Sequence, residues 1–146
     1  MKRFVLALSV GAVCALSLTA LSLASTRTTT WTAALTAGQE VPKQAVKVIA
    51  AHGQFKGTFS GSQLTWKLTF AKLSGPATAA HIHMGAMGKA GNVVVVLCAS
   101  TCKSGVTGSA MLTPAVLTAF KKHLLYVNVH TAKNPNGEIR GQLAAG

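Results

Sequence analysis

Acidic residues are almost absent from this chain. Aspartate does not occur, and Glu40 and Glu138 are the only 2 acidic residues among 146. A catalytic triad oriented by aspartate and an active site of paired aspartates are therefore excluded. No serine lies in a Gly-x-Ser-x-Gly turn, and the glutamates could work as an acid–base pair only if folding brought them together. The composition predicts a protein that is not an enzyme.

Aromatic residues are also scarce, at 5% of the chain, whereas the formal net charge reaches +12 at pH 7. The lysines are spread singly along the sequence, and no cluster of aromatic residues accompanies them, which argues against binding to nucleic acid. A charge of this sign favours an anionic component of the cell envelope, such as lipid or polysaccharide, or an acidic protein partner.

The longest apolar run is N-terminal. Residues 1–24 combine a basic start, an apolar stretch and small residues at Ser22 and Ala24, which is the pattern of a cleaved signal peptide. The stretch is long enough to cross a bilayer, so an uncleaved membrane anchor is the alternative. Residues 25–146 suffice for one domain and leave no room for a second. We therefore expect a periplasmic or extracellular protein.

Cysteine is rare as well. Of the 3 cysteines, Cys14 lies in the predicted signal segment, which leaves Cys98 and Cys102 close together in the predicted domain. In an oxidising compartment such a pair predicts a disulfide that pins the turn after a strand. A site for a soft metal is the alternative interpretation.

Alternating apolar and polar residues predict a series of short strands. The clearest alternation covers residues 52–59 and 64–70, with a hairpin turn between them. Weaker patterns predict strands at residues 28–37, 79–84, 92–98, 105–112, 124–131 and 138–143. Such spacing indicates an all-β fold, an antiparallel β-sandwich or barrel.

Two local features complete the predicted architecture. Thr113 and Pro114 fit the N-cap and first position of one short helix that extends to Lys122. Residues 93–97 are apolar on both faces, which predicts a central strand covered on both sides.

Polar residues occupy every second position in two of the predicted strands. His81 and His83 lie in one strand, and Tyr126, Asn128 and His130 lie in the other. Because alternate side chains of a strand point to opposite faces, each segment presents a polar face and buries an apolar one.

A metal site is one interpretation of this face. His81, His83 and His130 would share a copper or zinc ion, since two histidines at alternate strand positions can bind one ion and a third can complete the set. Met84 or Glu138 would supply a fourth ligand, and the Met84 thioether would suit copper(I). The alternative is a structural network in which the histidines donate to backbone carbonyls and Glu138 pairs with a cation.

A second polar set consists of Glu40, Asn128 and Arg140. Asn128 and Arg140 fall on neighbouring strands if the last two strands form a hairpin. Since opposite charges are scarce in this chain, we expect Glu40 and Arg140 to form an ion pair. That pair would tie the first turn to the last strand.

The motifs that carry these residues resemble the CHRD domain, named for chordin. The resemblance covers roughly residues 31–143 and rests on four segments in order, LTAGQEVP at 35–42, AHIHMG at 80–85, YVNVHT at 126–131 and GEIRGQL at 137–143. It implies an all-β sandwich, immunoglobulin-like or superoxide-dismutase-like. Chordin is an extracellular antagonist that binds growth factors, and the resemblance does not extend that role to a lone domain. Dismutation is not expected without aspartate.

Three functions remain open from the sequence, of which the third is an enzyme of unknown reaction that rests only on the cluster of ionisable groups. The first is an exported, non-enzymatic binding or structural module of the cell envelope, which would stay folded in a chelator. The second is a periplasmic metal-binding protein that takes up one copper or zinc ion and loses it in a His83→Ala variant.

Overall fold

The computed structural model describes residues 28–146, and the predicted signal segment, residues 1–24, lies outside them. The described part contains nine strands and one α-helix. They are β1 (Thr28–Thr36), β2 (His52–Ser60), β3 (Gln63–Ala71), β4 (Ala77–Met84), β5 (Asn92–Cys102), β6 (Val106–Met111), α1 (Pro114–Lys121), β7 (Leu125–Thr131), β8 (Ile139–Gln142) and β9 (Ala144–Ala145). Between residues 28 and 146, no helix is long and apolar enough to cross a bilayer.

All nine strands belong to one antiparallel sheet that curls on itself. Their order is β5-β4-β7-β8-β1-β2-β3-β6, with β9 paired to β1. The end strands β5 and β6 contact each other, so the sheet forms a nearly closed barrel. The predicted all-β class, with antiparallel strands and one short helix, is confirmed.

The β2–β3 hairpin follows the predicted alternation. Phe55 on β2 and Leu64 and Leu68 on β3 are fully buried, while the residues between them face outward. Ser60 pairs with Gln63, which leaves a two-residue turn. The first turn residue is a glycine with φ of 61°, a conformation that favours glycine.

Helix α1 packs aromatic residues against one end of the barrel. Phe120 contacts Trp31, with ring centroids 3.5 Å apart, and Phe59, with centroids 4.1 Å apart. The Thr113 hydroxyl accepts a hydrogen bond from the Val116 N–H, as expected of an N-cap. The helix therefore begins where the sequence predicted it.

The prediction for β5 is wrong. It lies at one end of the strand order and is not central, and Val93 and Val96 are 46% and 52% exposed. One face of β5 packs on the core through Val95 and Leu97, whereas the other is open to solvent at Val96. Cys98 and Cys102 form the predicted disulfide, but both lie within β5 and not in a turn after it.

Candidate metal centre

The polar residues of β4, β7 and β8 form one continuous face. His81 lies opposite Asn128, which lies opposite Arg140. In the next row His83 lies opposite Tyr126. Alternation places these side chains outside the barrel, because the residues between them, such as Val127, are buried in the core.

Loops cover this face, so His83 and His130 are buried and His81 is half-buried. Every residue of β7 is buried. Residues 85–91 cover one side, and the other is covered where Asn134 exchanges two hydrogen bonds with the backbone of Val46. The histidines therefore lie in a partly desolvated site.

Three histidines converge on this face as the sequence predicted. His81, His83 and His130 each offer one ring nitrogen, and these nitrogens all lie within 4.8 Å of one another. The closest pair, His81 Nδ1 and His130 Nε2, are 3.1 Å apart. Two nitrogens that share one ion at about 2.0–2.1 Å each lie roughly 3 Å apart, so this pair fits joint coordination.

Backbone carbonyls fix the tautomers of two histidines. His83 Nδ1 lies 2.9 Å from Gly91 O, and His130 Nδ1 lies 2.9 Å from Pro135 O. Each Nδ1 must therefore carry the proton, which leaves the lone pair of a neutral ring on Nε2. His83 Nε2 is buried and has no hydrogen-bond partner. A ring that donates from one nitrogen and presents the other unpaired is the usual state of a metal-ligating histidine.

The environment keeps all three imidazoles neutral at pH 7. Burial lowers the pKa of His81 to about 4, with further lowering from His130 and His83. Burial also lowers the pKa of His83 and of His130, and it outweighs the hydrogen bonds that each ring makes to a backbone carbonyl. Neutral rings keep the lone pairs that bind metal.

His81 differs from the other two ligands. Because His130 Nε2 carries no proton, the 3.1 Å contact requires His81 Nδ1 to donate its own proton. A metal ion bound at Nδ1 would displace this proton to Nε2 of the same ring. His81 is thus the adjustable ligand, while His83 and His130 are held in place.

An aromatic stack supports His83 and the loop that orients it. The His83 and Tyr126 rings are stacked, with centroids 4.9 Å apart and an interplanar angle of 8°. The Arg140 guanidinium carbon lies 3.4 Å from the centre of the Tyr126 ring. Arg140 Nη2 donates to the carbonyls of Ala86 and Lys89, which holds the loop that carries the Gly91 carbonyl.

The family of the chain follows from its sequence match. The model of the CHRD domain family matches residues 31–143, nearly all of the described part. The chain belongs to the CHRD domain family. Comparison with curated proteins and with solved structures gave no match. The three histidines and the residues that support them lie within the matched region of this CHRD domain.

Met84 does not reach the histidines, contrary to prediction. It packs against the hydrophobic core, because its side chain points to the same face of β4 as that of Ile82, two residues before it. Alternation along a strand therefore separates Met84 from His83 although they are adjacent in sequence. Met87, in the loop, is 78% exposed.

Glu138 is occupied elsewhere, so the predicted roles as a fourth ligand or as a partner of a cation do not fit. Its carboxylate accepts hydrogen bonds from Ser74 N–H at 2.6 Å, Thr131 Oγ1 at 2.6 Å and Asn134 Nδ2 at 2.9 Å. The Ser74 hydroxyl donates to it as well. Burial by itself would raise the pKa of Glu138, but these bonds outweigh it and hold the pKa below its ordinary value. No pattern in the sequence indicated that Ser74 would bind the Glu138 carboxylate.

Glu40 and Arg140 lie on the same side of the barrel but do not form the expected ion pair. Asn128 Nδ2 is 3.4 Å and 3.5 Å from the two Glu40 oxygens, whereas Arg140 Nη2 donates to backbone carbonyls. Burial raises the pKa of Glu40 to about 7, although Asn128, Arg140 and a backbone N–H lower it in part. The two charges attract each other without direct contact.

Three buried polar atoms of this face have no partner among the described residues. They are His83 Nε2, Asn128 Oδ1 and Arg140 Nη1. Folded proteins seldom leave such atoms unpaired, since each costs about 1–3 kcal/mol when buried without a hydrogen bond. Of the three, His83 Nε2 carries a lone pair that could bind a metal ion, whereas Arg140 Nη1 is a cationic donor that needs an acceptor.

Proposed function

We propose that this CHRD domain binds one divalent transition-metal ion, copper(II) or zinc, through His81, His83 and His130. The observation that carries the proposal is the pair of Nδ1 contacts to Gly91 and Pro135, which direct two Nε2 lone pairs toward the third ring. Ligands that are neutral and oriented before metal arrives bind it without an ordering cost.

The ligand set favours these two ions over copper(I). Imidazole nitrogen suits copper(II) and zinc, whereas copper(I) prefers sulfur ligands. Met84 is turned into the core, and the Cys98 and Cys102 sulfurs are joined to each other. Three nitrogens remain as the protein ligands, which leaves a further position for water or another small ligand.

We further propose that the protein is exported and acts as a binding module without catalysis. The signal-like pattern of residues 1–24 and the Cys98–Cys102 disulfide support an oxidising, non-cytoplasmic location. The lack of an accessible carboxylate supports a non-enzymatic role, because Glu138 is saturated with hydrogen bonds and Glu40 is 1% exposed. Neither is placed to act as a general base beside the histidines.

Metal titration followed by native mass spectrometry tests the metal proposal. The purified protein should bind one copper(II) or zinc ion, and His83→Ala should abolish binding. His52→Ala is the matched control, because His52 lies exposed on β2 and its ring contacts only the Ala50 carbonyl. That variant should bind metal as the wild type does.

A structural polar network is the competing interpretation. It would be supported if the wild type bound no ion at micromolar metal, or if His83→Ala bound as much metal as His52→Ala. Either result would overturn the metal proposal. The envelope module would then remain without an assigned ligand.

A further inference from the structure

The barrel presents a second polar face on the outer side of β1, β2, β3 and β6. Alternation turns the aromatic residues of these strands inward, among them Trp31, Phe55 and Trp66. Threonine, lysine and glutamine occupy the outward positions. Loops bury the histidine face, whereas this face is open to solvent or only half-buried at every outward position of the central hairpin.

Two lysines lie at the centre of this face. Lys56 on β2 is directly opposite Lys67 on β3, and both are exposed. In the same row Thr32 pairs with Lys56, and Thr107 pairs with Lys67. A shallow depression of about 460 Å³ lies over the two strands and is lined by both lysines, by Gln54, by neighbouring threonines and by the largely buried Trp66. We call this surface the lysine–threonine face.

The charge of the lysine–threonine face is not neutralised by the protein. Among residues 28–146, the acidic side chains Glu40 and Glu138 are 1% and 0% exposed, whereas every lysine is exposed. Like charges directly opposite each other on neighbouring strands destabilise a sheet. Folding by itself therefore gives no reason for the Lys56–Lys67 pair, and an anion between them would relieve the repulsion.

We propose that the lysine–threonine face binds a linear polysaccharide that carries carboxylate groups. The two ammonium groups would pair with carboxylates, and the rows of hydroxyls would exchange hydrogen bonds with sugar hydroxyls. An open, shallow face suits an extended chain laid across the strands. The proposal rests on different residues from the metal site and does not depend on it.

Two other anionic partners fit the face less well. A membrane surface favours exposed apolar side chains that insert among the lipids, but the apolar residue at the centre of the face, Trp66, is buried, and the exposed Met111 lies only at its end. Single-stranded nucleic acid binds by stacking on aromatic rings, and Trp66, the aromatic residue that lines the depression, is only 8% exposed and offers little ring surface to a base.

Binding to polygalacturonate, measured by isothermal titration calorimetry with the whole protein, tests the proposal. Fully methyl-esterified polygalacturonate is the matched control, since it keeps the sugar backbone and removes the charge. The acid polymer should bind and the ester should not, and binding should weaken as salt is raised. Equal binding of the two polymers would overturn the proposal. So would binding to anionic vesicles or single-stranded DNA without binding to polygalacturonate.

Two double variants test whether the lysine–threonine face or the net charge of the protein accounts for polymer binding. Lys56→Gln with Lys67→Gln should weaken polygalacturonate binding about tenfold, as expected for the loss of two exposed ion pairs. Lys121→Gln with Lys122→Gln removes the same charge from exposed positions at the end of helix α1, outside the face, and should weaken binding no more than about threefold. Equal losses would show that net charge alone attracts the polymer and would overturn the assignment of the face. Both double variants should bind copper(II) like the wild type, so the outcome is separate from that of the metal test.

Discussion

Glu40 shows at the scale of one residue how burial alters acid–base behaviour. Its carboxyl group is 1% exposed and has long contacts to Asn128 in place of the expected ion pair with Arg140. Burial raises its pKa from 4.5 to about 7, because a desolvated carboxylate is costly and its partners compensate only in part. The proton therefore stays on folded Glu40 at pH values where the unfolded chain has lost it.

The raised pKa predicts a specific pH dependence of stability. Below pH 4.5 the group is protonated in both states and has no effect. As pH rises through the window from 4.5 to about 7 the unfolded state ionises first, so stability falls, and above this window the loss is constant. The loss should reach about 3 kcal/mol. Glu40→Gln should remove this part of the pH dependence, as measured by urea unfolding at pH 5 and pH 8. Parallel pH profiles of the wild type and the variant would contradict the prediction.

At the scale of elements, the turn between β7 and β8 contacts both the histidines and the buried glutamates. It carries the Pro135 carbonyl that orients His130 and the Asn134 amide that binds Glu138. Gly137 in this turn has φ of 134°, in a region that side chains rarely adopt. A Cβ atom there would overlap with Asn128 Nδ2 and lie 2.5 Å from Glu40 Oε2. Asn128 and Glu40 approach this position so closely that only glycine, which has no Cβ atom, fits there.

Gly137→Ala should therefore destabilise the protein. The new methyl group would displace Asn128 and Glu40, which are buried, and would strain the backbone, with an expected loss of about 2–4 kcal/mol in the free energy of unfolding. Gly38→Ala is the matched control, because nothing lies within 4 Å of a Cβ at that position. Thermal unfolding of both variants provides the comparison. A Gly137→Ala melting temperature equal to that of Gly38→Ala would show that the turn accommodates the methyl group and would contradict the prediction.

At the scale of the whole molecule, the core and the candidate metal centre lie on opposite sides of the same strands. Ile82, Val127 and Ile139 are buried in the barrel, while the histidines face outward beneath the loops. The apolar core stabilises the fold without the ion, and two of the three ligands are already held by backbone carbonyls. Metal binding should thus add stability to a domain that is already folded.

The protein should remain folded in excess EDTA and become more stable when metal is added. At a free metal concentration one hundred times Kd, the gain should be about 2.7 kcal/mol, because only the folded state holds the three ligands together. Differential scanning calorimetry with EDTA and with zinc measures the shift in Tm, and His83→Ala should show none. Unfolding of the wild type by EDTA would mean that the ion is required for the fold.

The sequence by itself determined the local structure and part of the candidate site. Alternation showed which side of the amphipathic strands faces the core, so the hairpin at residues 52–70 and the shared orientation of His81 and His83 could be predicted. The resemblance of four segments to the CHRD domain also agreed with the family match. These features depend on neighbours in the chain, which a sequence displays directly.

Only the tertiary structure decided which groups meet. The edge position of β5, the Ser74 partner of Glu138 and the separation of Glu40 from Arg140 all depend on strand order and on loops that fold over the sheet. The same loops supply the two backbone carbonyls that orient the histidines. Backbone carbonyls occur at every residue, so no sequence pattern marks the two that matter. Long-range packing selects them, and with them the chemistry of the site.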